Sequence, residues 1–150
     1  MKETIQQLEQ IIADYKPQLE KLSAAAFAAK PIPDKWSKKQ ELGHLIDSAQ
    51  SNTRRFVVGQ YEEQPYIVYD QDKWVEIGNY QNYNDADLVE LWALINKHLC
   101  VVLANTPDEM AKRIVQTQDL HSIEWLAADY NRHLLHHLHH LLDLEPVAYR

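Results

Sequence analysis

Five of the chain's eight histidines lie in one stretch, His133-Leu-Leu-His-His-Leu-His-His140, with leucines filling every gap. Neutral imidazole is the commonest protein ligand for transition metals. On an α-helix, residues four apart stand about 40° from one another, so His133 and His137 point the same way. Such an i, i+4 pair lets one helix offer two nitrogens to a metal ion. The leucines at 134, 135, 138, 141 and 142 fall on an adjoining face that would anchor the helix in a core. The tract also contains a second pair, His136 and His140, and periodicity does not choose between the two.

A zinc-like ion usually takes three or four protein ligands, so a further donor must come from another helix. The remaining histidines are His44, His98 and His121. His44, in Glu-Leu-Gly-His44-Leu-Ile-Asp, is the best placed. His98 lies midway along its helix, and His121 sits just before the histidine helix, about a helix length from the end of the tract. With His44 at zero on a helical wheel, the apolar residues of its helix centre near 150°, while Ser48, Ser51 and Arg55 fall within roughly 40° of it. Two helices thus carry a polar stripe beside an apolar face. Either both stripes face water, or they face each other across a groove. The second arrangement accounts for histidine where a solvated face would favour Lys or Glu, since histidine is a middling helix former.

Four segments have the helical period needed to position these groups. The first runs from Lys2 to about Leu22, with Pro17 expected to kink or interrupt it. The second runs from Lys38 to about Gln60, with Ser37 as N-cap and Gln40 as its capping-box partner. The third spans Asp85 to Ala104 behind the N-cap Asn84. The fourth follows Ser122 and continues to about Leu144, before Glu145-Pro146. The segment Ala24 to Trp36 reads as a short linker. Ala111 to Leu120 reads as a short extended piece or a helical turn. Tyr61 to Tyr83 is a long connection rich in aromatic residues: Tyr61, Tyr66, Tyr69, Trp74, Tyr80 and Tyr83. A connection of that kind is a lid, a pocket wall or simple packing over the helices. With only three glycines, the expectation is an all-α chain, a four-helix bundle with a long aromatic connection between its second and third helices, in one domain over residues 1–150.

Composition narrows the function. A net charge of −7, with no run of Lys and Arg to offset it, argues against a nucleic-acid partner. The opening residues, Met1 to Gln7, have no apolar leader character, and no segment approaches a membrane span. The single Cys100 cannot form an internal disulfide and reads as a core thiol. A cytoplasmic protein with no membrane partner is expected.

Four passages carry a family likeness: Lys35-Trp36-Ser37 leading to His44-Leu-Ile-Asp-Ser48; Asn52 to Phe56; Tyr69-Asp70-Gln-Asp72-Lys-Trp74 followed by Asn79-Tyr80; and Tyr130-Asn-Arg-His133-Leu-Leu-His136-His137. In order and spacing the chain resembles the DinB-like superfamily, which includes YfiT-like metal-dependent hydrolases and thiol-dependent S-transferases. The resemblance implies a four-helix bundle, often a homodimer, with a divalent ion held by three histidines. Carried over by position, these metal ligands are His44, His133 and His137, which leaves His136 and His140 beside the site. It further implies a metal-dependent transferase of the thiol S-transferase kind acting on a small molecule, with a low-molecular-weight thiol as partner. The alternatives are a metal-dependent hydrolase or a non-catalytic metal-binding bundle. Zinc is the first expectation and nickel the second, since imidazole suits both. Around such a site, Asp129 is one turn before His133 and is placed either to accept its second ring proton or to face solvent. Arg55 is suited to an anionic substrate group or a surface ion pair. Asp70 and Asp72 are suited to a general-base role or to turn formation.

Overall fold

A computed structural model describes residues 1–149. Four long helices, α1 (Lys2–Glu20), α3 (Lys38–Val58), α5 (Asp85–Ala104) and α7 (Ile123–Leu141), form the four-helix bundle. Between them lie short helices α2 (Ala24–Ala28), α4 (Gln71–Gly78) and α6 (Asp108–Ala111), a 3-10 turn at Tyr80–Asn82, and a hairpin of β1 (Ile114–Gln116) and β2 (Leu120–Ser122). None of the helices is long and apolar enough to cross a membrane.

The ends of the long helices are set by side chains. Ser37 accepts from the Gln40 backbone N–H while the Gln40 side chain accepts from Ser37, closing a capping box that satisfies two otherwise orphaned donors. Asn84 and Ser122 cap α5 and α7 by accepting from the backbone N–H groups of Asp87 and Trp125. Pro17 lies inside α1 without ending it. Its ring removes one hydrogen bond in the final turn, and the buried Leu8, Ile11, Ile12 and Leu19 hold the helix against the core. The segment read as a plain linker contains α2, capped by Ser23 and held by the buried ring of Phe27.

Around the bundle the order is α1, α5, α3, α7, so helices consecutive in the chain do not simply neighbour one another. Lys16 of α1 meets Glu90 of α5 at 2.6 Å, which with the order of the chain sets these two antiparallel. Tyr15 meets His139, and Asn131 donates to the Thr4 carbonyl, so α1 and α7 run parallel. α3 and α5 are also parallel: Lys39 pairs with Asp85 near their starts, and Gln60 donates to Thr106 just past their ends. The topology is therefore up-down-down-up. Parallel neighbours cannot be joined by a tight turn. The chain leaving α3 must travel back along a helix about 30 Å long before α5 begins. The long connection at 59–84 exists for that reason.

The connection is tied down along its course. Ile67 donates to the Gln116 carbonyl, and Gln116 donates to Pro65, extending the hairpin by one bridge. Arg113 donates to the carbonyls of Gly59 and Glu62. Asp70 caps α4 by accepting from the Lys73 N–H. Tyr80 is then buried on α3, where its hydroxyl donates to Asp47 and its ring lies over Gly43. A Cβ at Gly43 would come within 2.1 Å of that ring, so glycine is required by close approach. Gly43→Ala is expected to lower stability by about 1–3 kcal/mol through overpacking. A urea denaturation series on the two proteins reads this directly; an unchanged midpoint would show that Tyr80 relocates without cost.

Candidate metal centre

α3 and α7 pack antiparallel. Gly59, just past the end of α3, lies against Ile123 at the start of α7, while His44 near the start of α3 meets His133 and His137 in the second half of α7. The polar stripes of the two helices therefore face each other. His44 is 1% exposed, and Ser48, Ser51 and Asn52 along the same side of α3 are buried as well.

One candidate ligand nitrogen from each of His44, His133 and His137 lies within 4.8 Å of the others. His44 Nε2 and His133 Nε2 are 3.3 Å apart. Two nitrogens bound at 2.0–2.1 Å to one tetrahedral ion would stand about 3.3 Å apart, so this spacing suits a shared cation. Desolvation holds the His44 pKa down at about 4 and the His133 pKa at about 3, with the charge of nearby imidazoles acting in the same direction. Both rings are neutral at physiological pH, the state in which imidazole binds metal. His44 Nδ1 is buried without a hydrogen-bond partner. The donor set, its spacing and its protonation state fit a divalent ion.

A buried carboxylate orients the third ring. Glu41, 6% exposed and one turn before His44, accepts from His137 Nδ1 at 2.8 Å and from His140 Nδ1 at 2.9 Å. With Nδ1–H given to Glu41, the lone pair of His137 is on Nε2. Burial works to raise the Glu41 pKa, but the hydrogen bonds from His137 and His140 outweigh it and leave the carboxyl below its usual range. The sequence offers Asp129 as a partner of His133, with a solvent-facing carboxylate as the alternative, and does not single out Glu41. Its only signal was a carboxylate at i−3 from His44 on the same helix.

The other candidates are distributed differently. His98 is exposed on α5, and His121 stacks on Trp125 with ring centroids 3.5 Å apart. His136 Nδ1 bonds the Val147 carbonyl at 2.8 Å. Asp129 bonds Arg132 and the Tyr149 hydroxyl, each at 3.0 Å, and acts on His133 as a nearby negative charge. Asp70 is the cap of α4, and Asp72 is exposed in its first turn. Cys100 is buried in α5, its thiol pushed up to about 11 by burial.

A cavity of about 140 Å³ opens beside the cluster. From α3 it is lined by His44, Ser48, Asn52 and Arg55, and from α7 by residues including Asp129 and His133. Tyr69 from the connection and Tyr149 from the segment after α7 complete its wall. The Tyr149 ring lies 5.4 Å from that of His133. Burial pushes the Tyr69 phenol up to about 12, so its hydroxyl remains a donor. Tyr61 and Tyr66 of the connection are exposed, and Tyr80 packs beneath α3.

The sequence pattern of the DinB superfamily matches residues 7–141. Over 144 residues the chain is 25% identical to YfiT of Bacillus subtilis (strain 168), covering 93% of this chain and 81% of that one. The solved structure of YfiT, described as a probable metal-dependent hydrolase with an unusual four-helix bundle topology, has a TM-score of 0.85 at 23% identity over 95% of this chain and 83% of its own. A mycothiol-dependent maleylpyruvate isomerase has a TM-score of 0.77 at 18% identity, covering 98% of this chain and 61% of that one.

The depressed imidazoles make the metal-free protein sensitive to acid. Unfolded histidine takes up a proton near pH 6.5, whereas folded His44 and His133 do so only near 4 and 3. Between these values the unfolded chain binds more protons, so stability falls as pH drops through this window. Asp47, whose carboxyl burial raises to about 6, titrates in the opposite sense and offsets part of the loss. The histidine contribution is therefore read as a difference. In chelator, the melting temperature of His133→Ala should fall less steeply from pH 6.5 to 4 than that of the parent protein. Parallel curves would contradict the burial of a neutral ring.

Proposed function

The chain belongs to the DinB superfamily, and from that premise we propose that it is a metal-dependent enzyme acting on a small molecule, with His44, His133 and His137 as the ligands of one divalent ion. The convergence of three imidazoles from two helices beside a cavity carries this reading. Zinc is the first choice and nickel the second, because both take imidazole nitrogen readily. The reaction proposed is transfer of a low-molecular-weight thiol to a small electrophile. Its support is the likeness in fold to an enzyme that is mycothiol-dependent by name.

A divalent ion held by these residues supplies Lewis acidity, which brings the pKa of a thiol or a water toward neutrality. The chain's own groups prepare for this. Burial keeps His44 and His133 uncharged, so no ring proton has to leave before their lone pairs are offered. Glu41 fixes the tautomer of His137 and sets a negative charge near His44 as well. Leu126 and the rings of Tyr69 and Tyr149 reduce access of bulk water to the cavity. Hydrolysis is the second reading. It is favoured by the likeness to YfiT, a probable metal-dependent hydrolase, over most of both chains.

Elemental analysis of the purified protein is expected to find one divalent ion per chain, and His44→Ala is expected to lose it. Full metal content in that variant would overturn the ligand assignment. Chelation should also lower the melting temperature of the parent protein, since a ligand bound only by the folded state at a hundred times its Kd stabilises by about 2.7 kcal/mol. An assay pairing the metal-loaded protein with small thiols and an electrophile tests the chemistry. Thiol-independent turnover would replace transfer with hydrolysis, and no turnover of either kind would reduce the protein to a metal-binding bundle.

A further inference from the structure

Arg55 brings a positive charge to the cavity wall; among the described residues no carboxylate is in ion-pair contact with it, and Asp129, which lines the same cavity, acts on it only as a nearby negative charge. Its Nε and Nη2 both donate to the Ile67 carbonyl, at 3.2 and 3.1 Å, and its Nη1 donates to Asn52 Oδ1 at 3.4 Å. A guanidinium has five N–H donors in a planar fork. These contacts use Nε–H and one N–H of each terminal nitrogen, which leaves one further N–H on each. Among the described residues Arg55 has no ion pair. Asp129, the carboxylate on the facing helix, is engaged by Arg132 and by the Tyr149 hydroxyl.

The setting of this charge is specific. His44, Ser48, Asn52 and Arg55 follow one another at helical spacing along one side of α3, and all four line the same cavity. The histidine cluster is thus at one end of this row and the guanidinium at the other. Asn52 is buried and bonds the Ser48 carbonyl through Nδ2, which turns its Oδ1 toward Arg55 and holds the fork in place. The Ile67 carbonyl fixes the opposite edge of the fork. A half-buried arginine immobilised in this way, with donors left over, is preorganised for an oxyanion, above all a planar carboxylate. The 140 Å³ volume is close to that of cavities that accept benzene, so the enclosed part of the ligand has roughly six non-hydrogen atoms.

We propose that the cavity binds a small carboxylic acid as substrate, with its carboxylate on the terminal N–H groups of Arg55 and its opposite end directed at the three histidines. Placing the reacting end at the histidines rests on the metal reading above; the anion end stands on Arg55 alone. Asn52 is a positioning residue, acting through the guanidinium it orients.

The test is a titration of the full chain with lactate and with its uncharged isostere lactamide, followed by NMR, for the protein as purified and again after chelation. In the chelated protein lactate is expected to bind at least tenfold more tightly than lactamide. Arg55→Gln is expected to weaken lactate by about 10- to 100-fold, the worth of a charge-assisted hydrogen bond, while keeping its metal content. Because Arg55 also secures Ile67, a second variant leaves the arginine in place: Asn52→Asp sets a carboxylate against the guanidinium and should abolish lactate binding while the fold is retained by circular dichroism. Equal binding of lactate and lactamide, or unchanged lactate binding in either variant, would overturn the proposal. Tight binding of inorganic phosphate with none of lactate would overturn it too. Arg55-dependent lactate binding in a protein that holds no metal would support the anion site and count against the metal reading alone.

Discussion

Glu41 is a carboxylate almost removed from water on one helix, engaged by two imidazoles of another. Taking a charged carboxylate out of water costs several kcal/mol unless hydrogen bonds replace the lost hydration. Here the N–H groups of His137 and His140 make that replacement, and they reach Glu41 only if α3 and α7 lie antiparallel in one register. The same register brings His44 to His133. Slipping one helix by a turn would bury a carboxylate without donors and leave the cluster incomplete. The polar stripe is thus a constraint on how the bundle assembles as well as the place where its chemistry is proposed.

The up-down-down-up course of the chain follows from that contact and the core around it. With α3 against both α5 and α7, and α5 parallel to α3, a single hairpin-like link between the second and third long helices is impossible. The connection at 59–84 is long because of geometry, and the chain uses it. One part pairs with the hairpin through Ile67 and Gln116, another forms α4, and a third places Tyr80 on Gly43. Tyr69 reaches the cavity because the stretch between Ile67 and the Asp70 cap is tied at both ends. The wall of the candidate site is built by the segment that solves the topological problem.

Buried polar residues on α3 gain their meaning in this context. A helix with Ser48, Ser51 and Asn52 on one side reads as half solvated, yet all three are enclosed. Asn52 satisfies itself within the helix by donating to Ser48, and its remaining oxygen orients Arg55. Asp47 is less settled: one oxygen accepts from Tyr80, the other has no partner, and burial raises its pKa to about 6. The same helix thus holds groups pushed toward neutrality, His44 and Asp47, beside Glu41, which is kept charged by its partners.

The sequence by itself determined the four long helices and the residue types of the candidate ligands. The capping box at Ser37 and Gln40, the caps Asn84 and Ser122, and the leucine period of the histidine tract are local features, and each appears where its spacing placed it. The i, i+4 relation of His133 and His137 is likewise a property of one helix. What the tertiary structure decided was every relation between helices: that the two polar stripes face each other rather than water, that Glu41 accepts hydrogen bonds from His137 and His140 across the helix pair, and that Arg55 shares a cavity with His44. Helical periodicity sets the direction of a side chain about its own axis and carries no information about the neighbouring axis. That second half of the answer comes from the packing of one helix on another, which is settled by burial over the whole bundle.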